Sequence, residues 1–284
     1  MPLYEGPKNI IETYWKKYSD DRKRISESLK DTFLFNKVTI SILREIAWSL
    51  YQPYKWLFVV PFLLVSTIVI GTLTILTSVI FSPVAGGKFA ALWARLNSYF
   101  TPMSVNVKGH ENISPKQSYV IVANHLSLYD IYVLYGWLGI DFRWVMKKEL
   151  RKVPVLGLVC QTLEHIYIDR SSSEKAIESI NRAKKKICNG TSIVFFPEGT
   201  RSPDARLQKF KKGAFKLAVD LDLPVLPVTI KNTHKVLGKG TLNLMPGTAE
   251  LIIHQPIDTS DYDEKTLSKL VKKSRNVVKS GLSM

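Results

Sequence analysis

This 284-residue chain has little cysteine and a shortage of acid. Its two cysteines, Cys160 and Cys188, match no metal-ligand spacing. A disulfide framework or a zinc module therefore does not organise the fold, and both read as reduced thiols. No G-x-S-x-G elbow is present, which removes the usual route to an acyl-enzyme on serine. No internal repeat or low-complexity stretch suggests a solenoid or a disordered tail. The first 30 residues are polar and charged, so no cleavable signal peptide is expected. Acidic residues number 24 against 40 Lys and Arg, a net charge of +16. The expected partner is anionic: membrane lipid, nucleic acid or a phosphorylated small molecule.

One stretch lacks ionisable side chains altogether. Between Leu57 and Phe81 none occurs. As a helix it would run roughly 37 Å, against a hydrocarbon core of about 30 Å. Trp48, Tyr51, Tyr54 and Trp56 crowd its N-terminal flank, as an interfacial aromatic belt would. A full span is the first expectation. Insertion into one leaflet is the second, because Pro61 and Gly71 permit a break, and a buried core helix is the third. Upstream, Phe35, Val38, Ile42, Ile46 and Leu50 fall at helical spacing, fitting a helix on a membrane surface or on the main domain. Residues 1–31 read as a solvated helix or a loose tail.

Beyond Gly86-Gly87, which is expected to close the membrane region, the pattern changes. A short helix is predicted over 88–100. Short, partly β-branched apolar runs then occur at 105–107, 118–123, 143–146, 165–168, 192–196, 225–230 and 250–253. Helical patterns at 128–138, 174–188 and 208–220 separate them, and a basic amphipathic helix is predicted over 263–280. Its lysines, Lys265, Lys269, Lys272, Lys273 and Lys279, suit a solvated face or a membrane contact. Alternation of this kind predicts an α/β fold, a mostly parallel sheet flanked by helices. The expected organisation is a polar extension over 1–56, a membrane-inserted segment over 57–85 and an α/β domain over 86–284.

The chemistry-bearing residues sit at predicted strand ends, where open α/β sheets bind ligands. Asn124-His125-Leu126-Ser127-Leu128-Tyr129-Asp130 follows the run 118–123. On a continuous helix, His125 and Asp130 would point about 140° apart. They meet only if the histidine lies in a turn and the aspartate in the first turns of the next helix. Asp130 then orients the ring, and the second ring nitrogen is a base near neutral pH. Asn124 or Ser127 is the candidate helix cap, which gives Ser127 a role other than nucleophile. Phe195-Phe196-Pro197-Glu198-Gly199-Thr200-Arg201-Ser202 follows the run 192–196. Gly199 admits a positive φ and lets backbone N–H groups approach an anion. Arg201 offers a bidentate fork for phosphate. Glu198 is expected to hold Arg201 or an acceptor hydroxyl. The lysine run Lys209 to Lys212 adds charge nearby.

Asn-His-x-Ser-x-x-Asp followed by Phe-Pro-Glu-Gly-Thr-Arg-Ser resembles the glycerolipid acyltransferases, in particular those acting on 1-acyl-sn-glycerol 3-phosphate. Lys148-Glu149-Leu150 with Pro154 and Gly157, Tyr167-Ile168-Asp169-Arg170, and Leu223-Pro224-Val225-Leu226-Pro227-Val228 are similar to further blocks of that family. The resemblance runs from about 95 to 235. It implies acyl transfer from acyl-CoA or acyl carrier protein to lysophosphatidic acid. In that reading His125 is the base and Asp130 orients it. Glu198, Gly199, Thr200 and Arg201 form the acceptor phosphate site, Arg170 and Lys148 add anion contacts, and Pro224 and Pro227 shape the acyl or acceptor channel. It also implies a membrane-inserted N-terminal helical element, which fits 57–81. Chemistry on acyl-CoA or acyl carrier protein would place the active site on the cytoplasmic side of the membrane. No metal cluster is visible in the sequence, and neither metal nor cofactor is expected. The roughly 50 residues ahead of the apolar segment exceed what compact members carry. Two other readings remain: the same chemistry on glycerol 3-phosphate, another lysophospholipid or a lyso-aminolipid, and a non-catalytic, membrane-tethered binder of anionic lipid. Nucleic acid is not expected, because aromatics do not interleave with the lysines.

Overall fold

The structure is a computed structural model that describes residues 45–169 and 190–283, together with 22, 39, 41–43 and 187. Arg170, Cys188, the helix expected over 174–188 and nearly all of residues 1–44 lie outside the described residues. The chain divides into two compact units, Met1–Trp56 and Leu57–Met284. In the first, the described residues are helical over 45–54. There the Gln52 amide donates to Trp48 O at 3.2 Å, and the Tyr51 and Tyr54 rings lie 5.8 Å apart.

The second unit begins with a helical hairpin. Helix α1 is Val60–Ile80 and helix α2 is Pro83–Phe100. By length and composition the apolar stretch within Ser41–Ile80 is the one candidate membrane span among the described residues. The hairpin pairs Phe62 with Phe100 (rings stacked at 3.4 Å), Ser66 Oγ with Asn97 Oδ1 (2.7 Å) and Thr67 Oγ1 with Trp93 Nε1 (3.0 Å). At its tip a Cβ on Gly86 would lie 1.9 Å from Ser78 Oγ, so glycine permits the close approach. The hydroxyls of Thr67, Thr72, Thr74 and Ser78 donate to carbonyls four residues back, at 2.6–2.8 Å. That satisfies them inside an apolar helix. Gly86-Gly87 therefore lies within α2, which starts at Pro83 and not at the predicted residue 88. The helix starts at Pro83 because Ser82 Oγ accepts the Ala85 N–H and proline suits the first turn.

Among the described residues seven strands follow: β1 Met103–Lys108, β2 Val120–Ala123, β3 Phe142–Lys147, β4 Ile166–Ile168, β5 Ser192–Phe195, β6 Val225–Lys231 and β7 Gly247–Ile253. They form one sheet in the order β1-β7-β6-β2-β5-β3-β4. Every pair is parallel except β6 with β7. All seven predicted strands are present. β2 and β5 are fully buried, as parallel strands covered on both faces must be. The further helices among the described residues are α3 (Tyr129–Trp137), α4 (Leu156–Thr162), α5 (Gly213–Asp220), α6 (Thr233–Val236) and α7 (Leu267–Ser283). Val120 and Val122 of β2 join Ile193, Phe215, Leu217, Leu270 and Val278 in one core beneath α5 and α7. Pro224 O accepts the Val120 N–H, and Pro227 sits inside β6 opposite Val122.

The basic face of α7 is exposed at Lys269, Lys272, Lys273 and Lys279, while Leu267, Leu270, Ser274, Val278 and Gly281 turn inward. The helix expected over 208–220 begins only at Gly213. Residues 207–211 lie outside it, held by bonds to the site described next.

Candidate active site

β2, β5, β3 and β4 are adjacent and parallel, so their carboxyl ends share one edge of the sheet. Val122 pairs with Phe195. His125 and Glu198 each lie three residues beyond that pair, which sets them side by side. The chain turns sharply after β2 because Asn124 bridges to β6. Its amide donates to Ile230 O and accepts the Ile230 N–H, both at 2.8 Å.

His125 lies in the turn and Asp130 in the first turn of α3, as the five-residue spacing required. His125 Nδ1 stands 2.8 Å from Asp130 Oδ2. The same oxygen accepts the N–H groups of Leu126 and Ser127, at 2.6 and 2.9 Å. Asp130 Oδ1 accepts the Thr233 hydroxyl at 2.5 Å. Asp130 is fully buried. A carboxylate surrounded by donors accepts from Nδ1–H, which leaves Nε2 as the basic nitrogen. The imidazole stacks on Phe196 at 3.8 Å with the ring planes nearly parallel, and Phe196 stacks on Trp144. Its side chain keeps 15% exposure. Ser127 is not poised to attack: its hydroxyl donates to Leu237 O at 2.6 Å and accepts the Tyr129 N–H at 3.1 Å.

Glu198 does not hold Arg201. Oε1 accepts the His125 N–H at 2.8 Å, and Oε2 accepts the Gln208 N–H at 3.0 Å. Burial pushes its carboxyl above the ordinary 4.5, opposed by those two N–H groups. The loop is fastened further by Ser202 N to His125 O, Lys211 N to Pro197 O, both 2.8 Å, and Lys239 Nζ to Arg201 O, 2.7 Å. Gly199 takes φ +79°, and a Cβ there would meet Lys211 Nζ at 2.8 Å. The Lys211 ammonium thus lies over the glycine turn. Thr200 is exposed and Arg201 half-buried. Among the described residues the Arg201 guanidinium has no hydrogen-bond or ion-pair partner.

Lys148 stands at the same edge, after β3, where it is paired with Asp169 at 2.6 Å. That pair links the ends of β3 and β4. Two contributors escaped the sequence reading. Thr233 reaches Asp130 from 103 residues away. Arg275 of α7 donates to Gln208 O and Leu207 O, each at 2.9 Å, bracing the segment that holds Glu198. Thr233 carries no local signal. The lysine run did point to Lys211, without placing it over Gly199.

Residues 104–231 match the acyltransferase family model. Those residues are an acyltransferase-family domain. Its relatives carry a narrower description. A chloroplastic 1-acyl-sn-glycerol-3-phosphate acyltransferase of Arabidopsis thaliana is 35% identical over 177 residues, covering 61% of this chain and 49% of the relative. One from Saccharomyces cerevisiae is 30% identical over 200 residues, covering 67% and 66%. The chain is also similar to the crystal structure of the 1-acyl-sn-glycerophosphate acyltransferase PlsC from Thermotoga maritima. The TM-score is 0.69 at 28% identity, covering 84% of this chain and 95% of that one. The chain spans about half the length of the chloroplastic relatives it matches.

Proposed function

We propose that this acyltransferase moves an acyl chain from a thioester donor to the free hydroxyl of lysophosphatidic acid, giving phosphatidic acid. The observation that carries the reading is the Asp130-oriented His125 placed beside the Gly199–Arg201 turn on one sheet edge. His125 Nε2 takes the proton from the acceptor hydroxyl. The oxygen attacks the thioester carbonyl, a C–O bond forms, and collapse of the tetrahedral intermediate breaks the C–S bond. The proton on the imidazolium passes to the departing thiolate. General base catalysis of this kind supplies roughly 10²–10⁴-fold. Arg201 and Lys211 meet the acceptor phosphate, with the positive-φ turn at Gly199 admitting it closely. Acyl-CoA or acyl carrier protein is the donor, supplied from the cytoplasm, so the site faces that side.

The acceptor is an amphiphile, and the hairpin suits a site at a bilayer surface. We read the hairpin as entering one leaflet. If α1 crossed the bilayer, α2 would have to return through it along the same path. α2 carries Lys88 and Arg95, and Arg95 Nε donates to Gly136 O of α3 at 2.7 Å. Thr101, just past α2, bonds Tyr129 at 2.7 Å. α2 is therefore tied to the catalytic unit, while α1 exposes a run of apolar side chains, among them Leu64, Val65, Ile68 and Val69, that suits lipid.

The test is acyl transfer by detergent-solubilised protein, wild type beside His125→Ala. Lysophosphatidic acid and glycerol 3-phosphate are offered separately with an acyl-CoA or an acyl carrier protein donor. Product from lysophosphatidic acid alone, lost in the variant, is expected. Product from another acceptor keeps the chemistry and changes the substrate. Undiminished turnover by His125→Ala would sink the mechanism.

A further inference from the structure

The segment after β3 forms a rigid arch outside the catalytic constellation. It comprises a 3-10 turn, Lys148–Lys152, and helix α4. The arch is tightly tied: Gly157 N donates to Val153 O at 2.8 Å, Tyr167 OH to Gly157 O at 3.0 Å, and a Cβ on Gly157 would lie 2.2 Å from Arg151 O. Its surface composition is unusual for something facing water. Leu150, Val153, Leu156 and Leu158 are between 37% and 54% exposed. Lys147, Lys148, Arg151 and Lys152 are exposed among them, with Glu149 as the acid of the group. The inner side of the arch packs on α1, where Val155 and Val159 come within 3.2 and 3.3 Å of a Cβ built on Gly71. The arch is thus continuous with the apolar surface of α1, whose neighbouring Ile68, Val69 and Leu73 are exposed.

We propose that this arch is a second membrane contact, seating Leu150, Val153, Leu156 and Leu158 at the interface of an anionic bilayer while Lys147, Arg151 and Lys152 meet the lipid headgroups. Aliphatic side chains interleaved with cations match the layered chemistry of that interface, apolar beneath and anionic above. A soluble partner protein would supply no reason for the continuity with α1. Lys148 is left out of the headgroup set because Asp169 already holds it. Contact at Gly71, midway along α1, fixes the helix against the arch, so both enter the same leaflet. The end of β3 is then carried to the bilayer surface, and the lysolipid reaches the site without leaving its leaflet. The inference rests on the reading of α1 as membrane-inserted.

The experiment labels one cysteine at a time with an environment-sensitive fluorophore, in a Cys160→Ala/Cys188→Ala background of the full chain. Leu158→Cys reports the arch and Leu76→Cys reports α1. Vesicles of phosphatidylcholine mixed with phosphatidylglycerol are compared with phosphatidylcholine alone. Blue shifts at both positions on the mixed vesicles are expected. Replacing Arg151 and Lys152 by glutamine should weaken binding to the mixed vesicles by about 5-fold per cation removed, with little change on the neutral ones. A shift at Leu76 with none at Leu158 overturns the arch and leaves the hairpin reading standing. No shift at either position overturns both. A shift at Leu158 caused by acyl-CoA without vesicles would make the arch an acyl-chain path and overturn its role as a lipid contact.

Discussion

Glu198 and His125 are joined through the main chain: Oε1 of the carboxylate accepts the histidine N–H at 2.8 Å. The other oxygen accepts the Gln208 N–H, so one buried side chain ties the base-bearing turn to the loop carrying Gly199 and Arg201. Glu198→Gln keeps one acceptor and sets an NH₂ against an N–H. The expected cost is about 1–3 kcal/mol of stability, with a fall in turnover. The pH dependence has a definite sign. Glu198 has its carboxyl raised by burial, so the folded state binds its proton more tightly than the unfolded state. Its contribution is fully present below the ordinary 4.5 and is lost as pH rises through the higher folded value. Denaturant titrations of wild type and Glu198→Gln across that window should show a slope that the variant lacks.

Thr233 donates to the outer oxygen of Asp130, and both side chains are fully buried. Thr233→Val preserves the shape and removes that donor. A loss of about 1–3 kcal/mol in positioning corresponds to roughly a 5- to 150-fold fall in kcat. KM for the acceptor should stay near wild type, since Thr233 meets no substrate. Thr233→Ser should restore most of the rate. Steady-state kinetics on the three proteins decides it.

These two contacts mark what the sequence could and could not disclose. The strands were legible because parallel strands buried on both faces are uninterrupted apolar runs, as at Val120 to Ala123. The His125–Asp130 pair was legible because a spacing of five demands a strand, a turn and a helix. The partner of Glu198 was misjudged. Sequence advertises side-chain charges such as Arg201, whereas the groups it bonds are main-chain N–H donors that every residue carries. The late start of α5 has the same origin, since Gln208 and Lys211 spend their N–H groups on Glu198 and Pro197. Thr233 was invisible because only the placement of β6 next to β2 brings it to Asp130. The start of α2 lies five residues before the predicted 88 because a glycine pair usually interrupts a helix, while here Gly86 lets α2 approach α1.

His165 supplies an acid-side expectation. It is buried between the Tyr135 hydroxyl, 2.5 Å from Nε2, and the Trp144 N–H, 3.3 Å from Nδ1. Burial first, then the Arg143 charge, push its pKa down to about 3. The ring is neutral when folded, whereas the unfolded chain takes up a proton below the ordinary 6.5. Its stability contribution is present above 6.5 and is lost as pH falls toward 3, at up to about 1.4 kcal/mol per pH unit. His165→Asn should be less stable at pH 7 and should flatten the dependence between those limits. Urea unfolding at several pH values reads both effects.

Gly86 is the tightest point of the hairpin. Gly86→Ala drives a methyl against Ser78 Oγ and within 2.9 Å of Thr74 O. A destabilisation of about 1–3 kcal/mol is expected, with less protein recovered in the membrane fraction. Adding Ser78→Gly clears the hydroxyl and should recover part of the loss. Equal loss in the single and double variants would show that the helices do not meet there.

The pairing of Val122 with Phe195 has a consequence for how this sequence can change over generations. The histidine motif and the glycine turn hang at the same offset from neighbouring strands, so their spacing belongs to the hydrogen-bond lattice and not to the side chains within it. Val, Ile and Leu can replace one another along β2 and β5 without moving His125 relative to Glu198. A single inserted or deleted residue in either strand shifts one motif against the other by about 3.3 Å and turns its side chains to the opposite face. Relatives of this domain should therefore drift freely in letters there and hold fast in length, with insertions collecting outside the two strands.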